Sequence, residues 1–125
     1  MTHTKGYKKR ILLVEDEPVI SRLCAKILTS EGFDVDVERD GRNAKEAANN
    51  KNYDVCVSDI RLPGLTGIQL HELFKANQPQ LAQRMLFMTG DTMNANVQSF
   101  LQESGIPCLM KPFSPEDLIT AVRHI

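Results

Sequence analysis

Carboxylate, hydroxyl and ammonium side chains follow short apolar runs at several points of this 125-residue chain. The run ILLV precedes Glu15 and Asp16, VCVS precedes Asp59, LFM precedes Thr89, and CLM precedes Lys111. Crowded carboxylates repel one another unless a cation lies among them, and oxygen ligands suit a hard ion such as Mg²⁺, with Mn²⁺ as the alternative. With a lysine and a hydroxyl, such an ion neutralises a phosphoryl group while Asp59 attacks it in line. The pattern predicts a phosphoryl-accepting site.

The segment that follows Asp59 is rich in residues that restrict the backbone. It reads IRLPGLTG, with Pro63 and Gly64 in the middle and Gly67 at the end. Proline fixes its own backbone angle, and glycine allows tight turns. We expect this stiff loop to present the backbone carbonyl of Arg61 as a further oxygen ligand for the metal.

Each of these residues also has a purely structural interpretation. A single Asp after a strand is commonly a turn former or a helix cap, and an acidic run favours the first turn of a following helix. Thr89 could belong to an ordinary loop, and Lys111 to a solvated turn. The chemical interpretation depends on all of them lying at the same end of one sheet.

The elements that would position these residues alternate along the chain. Continuous apolar runs predict buried strands, whereas the strictly alternating run FDVDVE predicts a half-exposed edge strand. The predicted strands are 10–14, 33–38, 55–57, 85–88 and 107–110. Each is followed by a helical pattern, and these helices are predicted after Pro18, after Asp40, over 68–75, over 94–103 and after Ser114.

Five strand–helix units predict an α/β fold with a doubly wound, five-stranded parallel sheet. The alternating strand belongs at an edge, which favours the strand order 2-1-3-4-5, while a closed barrel would need eight units. In this order the winding direction changes between the first and third strands. Glu15, Asp16 and Asp59 are therefore expected to converge there.

Composition excludes several classes of function. The net charge is −1, so no strongly basic field attracts nucleic acid or anionic lipid, and the basic residues near the start read as a solvated leader. No apolar run is long enough for a membrane span, and no signal-peptide core follows Met1. We therefore expect no nucleic-acid partner, no direct membrane contact and a cytoplasmic location.

The remaining metal-binding residue types show no common spacing. The cysteines Cys24, Cys56 and Cys108 lie among apolar residues and are predicted to be reduced core thiols. The histidines at positions 3, 71 and 124 are predicted to lie on the exposed surface.

Four motifs, in order, resemble those of the receiver (response-regulator) domain of two-component signalling. They are ILLVEDEP, DIRLPGLTG, FMTG and KPF, and the resemblance runs from Arg10 to the last helix. It implies a flavodoxin-like receiver fold, with residues 1–9 as a leader or linker and 10–125 as the receiver domain. A receiver catalyses only its own phosphorylation and dephosphorylation.

The resemblance also implies a role for each candidate residue. Asp59 would accept a phosphoryl group from the phosphohistidine of a histidine kinase or a histidine phosphotransfer domain. Glu15, Asp16, Asp59 and the Arg61 carbonyl would hold Mg²⁺, and Thr89 and Lys111 would contact the phosphoryl group. The Lys111–Pro112 bond is expected to be cis, as it commonly is in the family.

The chain departs from the family pattern at two positions. Leu62 stands where Met is commoner, and Cys108 stands where the family often has a Tyr or Phe that moves inward with the threonine. The phosphorylation site therefore looks complete, whereas the aromatic residue that usually transmits its conformational change is missing. Large changes are instead expected around residues 60–67 and 89–94.

The stretch FMTGDTMNANVQSFLQESGIPCLMKPF, residues 87–113, resembles receivers attached to hybrid histidine kinases, whose parent protein could be membrane-attached. A free-standing single-domain response regulator is the alternative, and a weak dimer is compatible with either. A haloacid-dehalogenase-type phosphatase would need an Asp at position 61, where this chain has Arg. A flavodoxin-type module would need a Gly-rich loop where the acidic run lies, and a degenerate receiver would lack one of the candidate residues.

Overall fold

The structure is a computed structural model that describes residues 8–90 and 94–125. Its strands are β1 (Arg10–Val14), β2 (Asp34–Glu38), β3 (Val55–Asp59), β4 (Met85–Thr89) and β5 (Cys108–Met110). Its helices are α1 (Pro18–Ser30), α2 (Gly41–Asn50), α3 (Gly67–Asn77), α4 (Pro79–Ala82), α5 (Ala95–Ser104) and α6 (Pro115–Arg123). The predicted leader lies largely outside the described residues, as does His3.

The five strands form one parallel sheet in the order β2-β1-β3-β4-β5. This confirms the predicted doubly wound α/β fold and the placement of the alternating strand at an edge. The central strands β3 and β4 are buried throughout, as continuous apolar runs predict. The other edge is β5, which is only three residues long and partly exposed.

Helices cover both faces of the sheet and divide the core into two apolar clusters. One cluster joins Leu12, Cys56 and Phe87 to α2 and α3, and the other joins Ile11, Val57 and Leu86 to α1 and α6. Odd and even positions of a strand point to opposite faces, which explains the division. In the described part of the chain, no helix is both long and apolar enough to span a lipid bilayer.

Capping residues mark where the helices begin and end. Asp40 accepts a hydrogen bond from the Asn43 amide at the start of α2, as predicted. Thr66 and Ser114 form capping boxes at the starts of α3 and α6. Gly32, at φ 94°, follows the end of α1.

Three details differ from or extend the sequence predictions. The short helix α4 was not predicted, because four residues are too few for a helical period. The prediction for His71 was wrong, since its side chain is buried against α5, whereas His124 is exposed as predicted. The three cysteines are free thiols, with Cys108 only half-buried, and the Lys111–Pro112 bond is cis as expected.

Candidate functional site

Strand register brings the predicted site residues to one edge of the sheet. Val14 pairs with Ser58 across β1 and β3, so the next residues, Glu15 and Asp59, lie side by side. Thr89 ends β4 and pairs with Met110, the residue before Lys111. The carboxyl ends of four adjacent strands therefore supply the site, as expected for an open parallel sheet.

Lys111 connects the two carboxylates at the centre of this edge. Its Nζ donates to Glu15 Oε1 at 2.7 Å and to Asp59 Oδ2 at 2.9 Å. The exposed fraction of the side chain is 17% for Lys111, 11% for Asp59 and 0% for Glu15. One ammonium therefore serves two largely desolvated carboxylates, and its position is fixed by both.

Glu15 lies beneath the surface of the site. Besides Lys111, it accepts a hydrogen bond from the backbone N–H of Glu17 at 3.1 Å. Burial raises the pKa of Glu15 above its ordinary value, and the hydrogen bonds from Lys111 and the Glu17 amide only partly offset this. The carboxylate of Glu15 thus depends on Lys111 to remain charged.

The pKa of Lys111 lies above its ordinary value. Burial by itself lowers the pKa of this ammonium, but the hydrogen bonds to Glu15 and Asp59 outweigh that effect. Lys111 is therefore a fixed positive charge at neutral pH.

The acidic cluster has the composition of a divalent-metal site. Glu15, Asp16 and Asp59 each offer a carboxylate oxygen, and these oxygens lie within 4.8 Å of one another. Three carboxylates and one ammonium leave a formal charge of −2, which one divalent cation would neutralise. Ligands that are all oxygen fit Mg²⁺ or Mn²⁺.

A cleft of about 280 Å³ opens above this cluster. The residues that line it are Asp16, Glu17, Asp59, Arg61, Thr89, Gly90 and Lys111. Asp16 is more accessible to solvent than Glu15, whose side chain lies below the floor of the cleft. Thr89 is 2% exposed overall yet still contributes to the lining.

The loop after β3 is fixed by backbone contacts. The Arg61 N–H donates to Asp59 Oδ1 at 3.3 Å, and the Gly67 N–H donates to the Ile60 carbonyl at 2.8 Å. The Gly41 N–H of α2 donates to the Pro63 carbonyl at 3.1 Å. Backbone hydrogen bonds therefore hold both halves of this loop in place, in agreement with its predicted stiffness.

Sequence reasoning missed two features of the site. A side chain at Gly67 would place its Cβ 2.6 Å from the Asp59 carbonyl oxygen, so α3 can approach β3 this closely only with glycine. Glu15 was expected mainly as a metal ligand, but it is also a buried counter-ion of Lys111. The sequence held a signal for each feature. Gly67 directly follows the capping Thr66, and Glu15 continues the buried strand β1 and is therefore expected to be buried.

Residues 11–123 match the family model described as response regulator receiver domain. The chain is 31% identical over 116 residues to the DNA-binding response regulator MtrA of Mycolicibacterium smegmatis, a match covering 93% of this chain and 50% of MtrA. It is 36% identical over 116 residues to protein RcaC of Microchaete diplosiphon, covering 93% of this chain and 18% of RcaC. The chain thus spans half or less of these curated relatives.

Among solved structures, the chain is similar to the receiver domain of a sensor histidine kinase from Pseudomonas aeruginosa. The TM-score is 0.81 at 29% identity, and the match covers 94% of this chain and 97% of that domain. That domain was solved with a magnesium ion coordinated in its active-site cleft.

Proposed function

The chain belongs to the response regulator receiver domain family, and we propose that Asp59 is its phosphoacceptor. The observation that carries this proposal is the position of the Asp59 carboxylate. It ends a central strand, accepts a hydrogen bond from Lys111 and shares a cluster with Glu15 and Asp16. Among the described residues, no other group of three His, Cys, Asp or Glu side chains is close enough to hold a metal ion.

The transfer is a displacement at phosphorus. A carboxylate oxygen of Asp59 forms a P–O bond as the P–N bond of a phosphohistidine breaks, and the leaving imidazole takes up a proton. Lys111 donates to Asp59 before the reaction and is held in place by Glu15, so its ammonium is positioned to bind an oxygen of the arriving phosphoryl group. Thr89, at the edge of the same cleft, supplies a hydroxyl for a second oxygen.

We assign Mg²⁺ to the acidic cluster, with Glu15, Asp16, Asp59 and the Arg61 carbonyl as its ligands and Mn²⁺ as the alternative. The ion supplies positive charge that offsets the charge of the phosphoryl group. Asp16 is the accessible carboxylate, whereas Glu15 is buried and already engaged by Lys111. Asp16→Ala should therefore weaken Mg²⁺ binding more than Glu15→Ala, as measured by calorimetric titration.

The phosphoryl donor is a histidine kinase or a histidine phosphotransfer domain, as for receivers in general. A donor over the cleft also meets the first turns of α1, since α1 starts directly after Glu17. There, Val19 and Leu23 are 70% and 55% exposed. We assign this apolar pair to the donor's docking surface, because large apolar side chains this exposed beside a reactive cleft are suited to contact with a partner.

The unit we propose is a receiver domain over residues 10–125, preceded by a leader or linker over 1–9. We favour a receiver from a hybrid histidine kinase over a free-standing response regulator, and the likeness to a sensor kinase receiver supports this choice. The free thiols at positions 24, 56 and 108 agree with a reducing, cytoplasmic location.

Intact-mass measurement tests the phosphoacceptor. Incubation with acetyl phosphate and Mg²⁺ should add the mass of one phosphoryl group to the wild-type chain and nothing to Asp59→Asn. Asp34→Asn is the matched control, because Asp34 is an exposed carboxylate whose ion-pair partner within residues 8–90 and 94–125 is the surface residue Arg10. Labelling of Asp59→Asn equal to wild type, or labelling undiminished by excess EDTA, would overturn the proposal.

A further inference from the structure

Helix α5 is weakly anchored and borders a large groove. None of its side chains is fully buried, and its half-buried Val97, Phe100 and Leu101 are its apolar contacts with the core. Between α3 and α5 lies a groove of about 720 Å³, lined in part by His71, Met85 and Phe100. A helix held by few apolar side chains can change position at a low cost in free energy.

Phe100 connects α5 to the sheet and to α3 through its ring. Its centroid lies 5.7 Å from that of Phe87, with the ring planes at 67°. It lies 5.5 Å from the centroid of His71, with the planes at 75°. Both are edge-to-face contacts, a favourable geometry for aromatic pairs. The three rings form a continuous series from β4 through α5 to α3.

Phe87 in turn contacts the chain around the phosphorylation site. Phe87 and Thr89 are two positions apart on β4, so their side chains project from the same face of the sheet. A Cβ on Gly67 would lie 3.0 Å from Phe87 Cε1 and 2.6 Å from the Asp59 carbonyl oxygen. The ring of Phe87 therefore packs where the loop after Asp59 enters α3.

We propose that Phe100 carries the change at the phosphorylation site to α5 and to the groove between α3 and α5. The proposal rests on Asp59 being phosphorylated. A movement of Thr89 or of the 60–67 loop displaces the Phe87 ring, and Phe100 follows because its ring contacts Phe87 edge to face. Cys108 is the register partner of Phe87 across β4 and β5, but its thiol is too small to make an edge-to-face contact.

His71 can move with Phe100. Its Nδ1 is buried and has no hydrogen-bond partner among the residues that the structure describes, so packing holds that side of the ring. No hydrogen bond at this atom has to break when the ring shifts. Phosphorylation thus repositions α5 relative to α3 and alters the width of the groove.

Amide chemical shifts with and without beryllofluoride and Mg²⁺ test the role of Phe100. Wild type should show shifts in the 60–67 loop and along α5. Phe100→Leu should keep the loop shifts and lose those of α5, and Phe100→Tyr should restore them because it keeps the ring. Leu101→Ala is the matched control, since Leu101 is half-buried on the same helix and has no ring. Thermal unfolding checks that each variant is folded.

The outcomes separate this inference from the proposed function. Absence of a phosphoryl mass gain in wild type would overturn the assignment of Asp59 and this inference with it. If wild type gains the mass but the amides of α5 show no shifts, the role of Phe100 is overturned and the assignment of Asp59 stands. The same conclusion follows if the α5 shifts are unchanged in Phe100→Leu, or are lost equally in Leu101→Ala.

Discussion

Replacing Lys111 by Met should destabilise the metal-free domain strongly at neutral pH. The substitution keeps most of the aliphatic stem and removes the ammonium that donates to Glu15 at 2.7 Å and to Asp59 at 2.9 Å. Glu15 is then left with the backbone N–H of Glu17 as its hydrogen-bond donor. A buried carboxylate without a cation is the main source of the expected loss.

The magnitude follows from the burial of the pair. Removing one partner of a buried ion pair costs about 3–5 kcal/mol, and the partial exposure of Lys111 puts this case near the lower end, at about 3 kcal/mol. At about 2.1 cal/mol/K per residue, 125 residues give an unfolding entropy of about 260 cal/mol/K. The expected fall in Tm is therefore about 11 °C.

The loss should shrink as the pH falls. The pKa of Glu15 is already raised by burial, and removing the ammonium raises it further. A carboxyl whose pKa is higher in the folded state than in the unfolded state destabilises the fold as the pH rises through the folded-state pKa. Below the unfolded-state pKa, near 4.5, the carboxyl is protonated in both states and has no such effect. The difference between wild type and variant should thus be full at neutral pH and small near pH 4.5.

Thermal unfolding in EDTA, followed by circular dichroism, measures this effect. Lys51→Met is the matched control, because Lys51 also lies 2.9 Å from a carboxylate, that of Asp36, but with 46% of its side chain exposed. Breaking such a surface pair costs at most about 1 kcal/mol, or about 4 °C. Equal Tm values for wild type and Lys111→Met at neutral pH would refute the account of Glu15 as a carboxylate that depends on Lys111.

Three further predictions concern packing and pH. Gly67→Ala forces a Cβ against backbone atoms, so it should lower the free energy of unfolding in urea by about 1–3 kcal/mol and slow labelling by acetyl phosphate. An unchanged unfolding free energy and labelling rate would contradict the close approach of α3 to β3. Hydrogen bonds from Lys51 and Tyr53 lower the pKa of Asp36, so the stability advantage of wild type over Asp36→Asn should be present above pH 3.8 and disappear below it in urea titrations. Burial lowers the pKa of His71, so wild type should lose stability as the pH falls below 6.5, and His71→Leu should lose less; parallel pH profiles would disprove this.

Local sequence patterns were sufficient to predict the sheet and which carboxylates come together at its edge. Buried strands show as apolar runs and β2 as an alternating run, so the strand order and the convergence of Glu15, Asp16 and Asp59 follow from general rules for parallel sheets. Gly32 and Ser114 also lie where the structure places helix ends, because capping depends on adjacent residues.

Features that depend on distant residues could not be predicted in this way. The pairing of Glu15 with Lys111 joins residues 96 positions apart, and nothing near either one specifies the other. His71 was misassigned to the surface because it packs against Phe100, which lies on a different helix. The contact between Gly67 and the Asp59 carbonyl likewise exists only once α3 packs on β3.

The charge balance of the site also bears on the order in which its ligands bind. Before any ligand arrives, Glu15 and Asp59 share one ammonium, and with Asp16 the cluster carries a formal charge of −2. Under the proposed function, a phosphoryl group would add further negative charge to Asp59, which Lys111 alone cannot offset while Glu15 holds it. A divalent cation would therefore have to bind before phosphorylation, because the cation removes the repulsion that the phosphoryl group would otherwise meet.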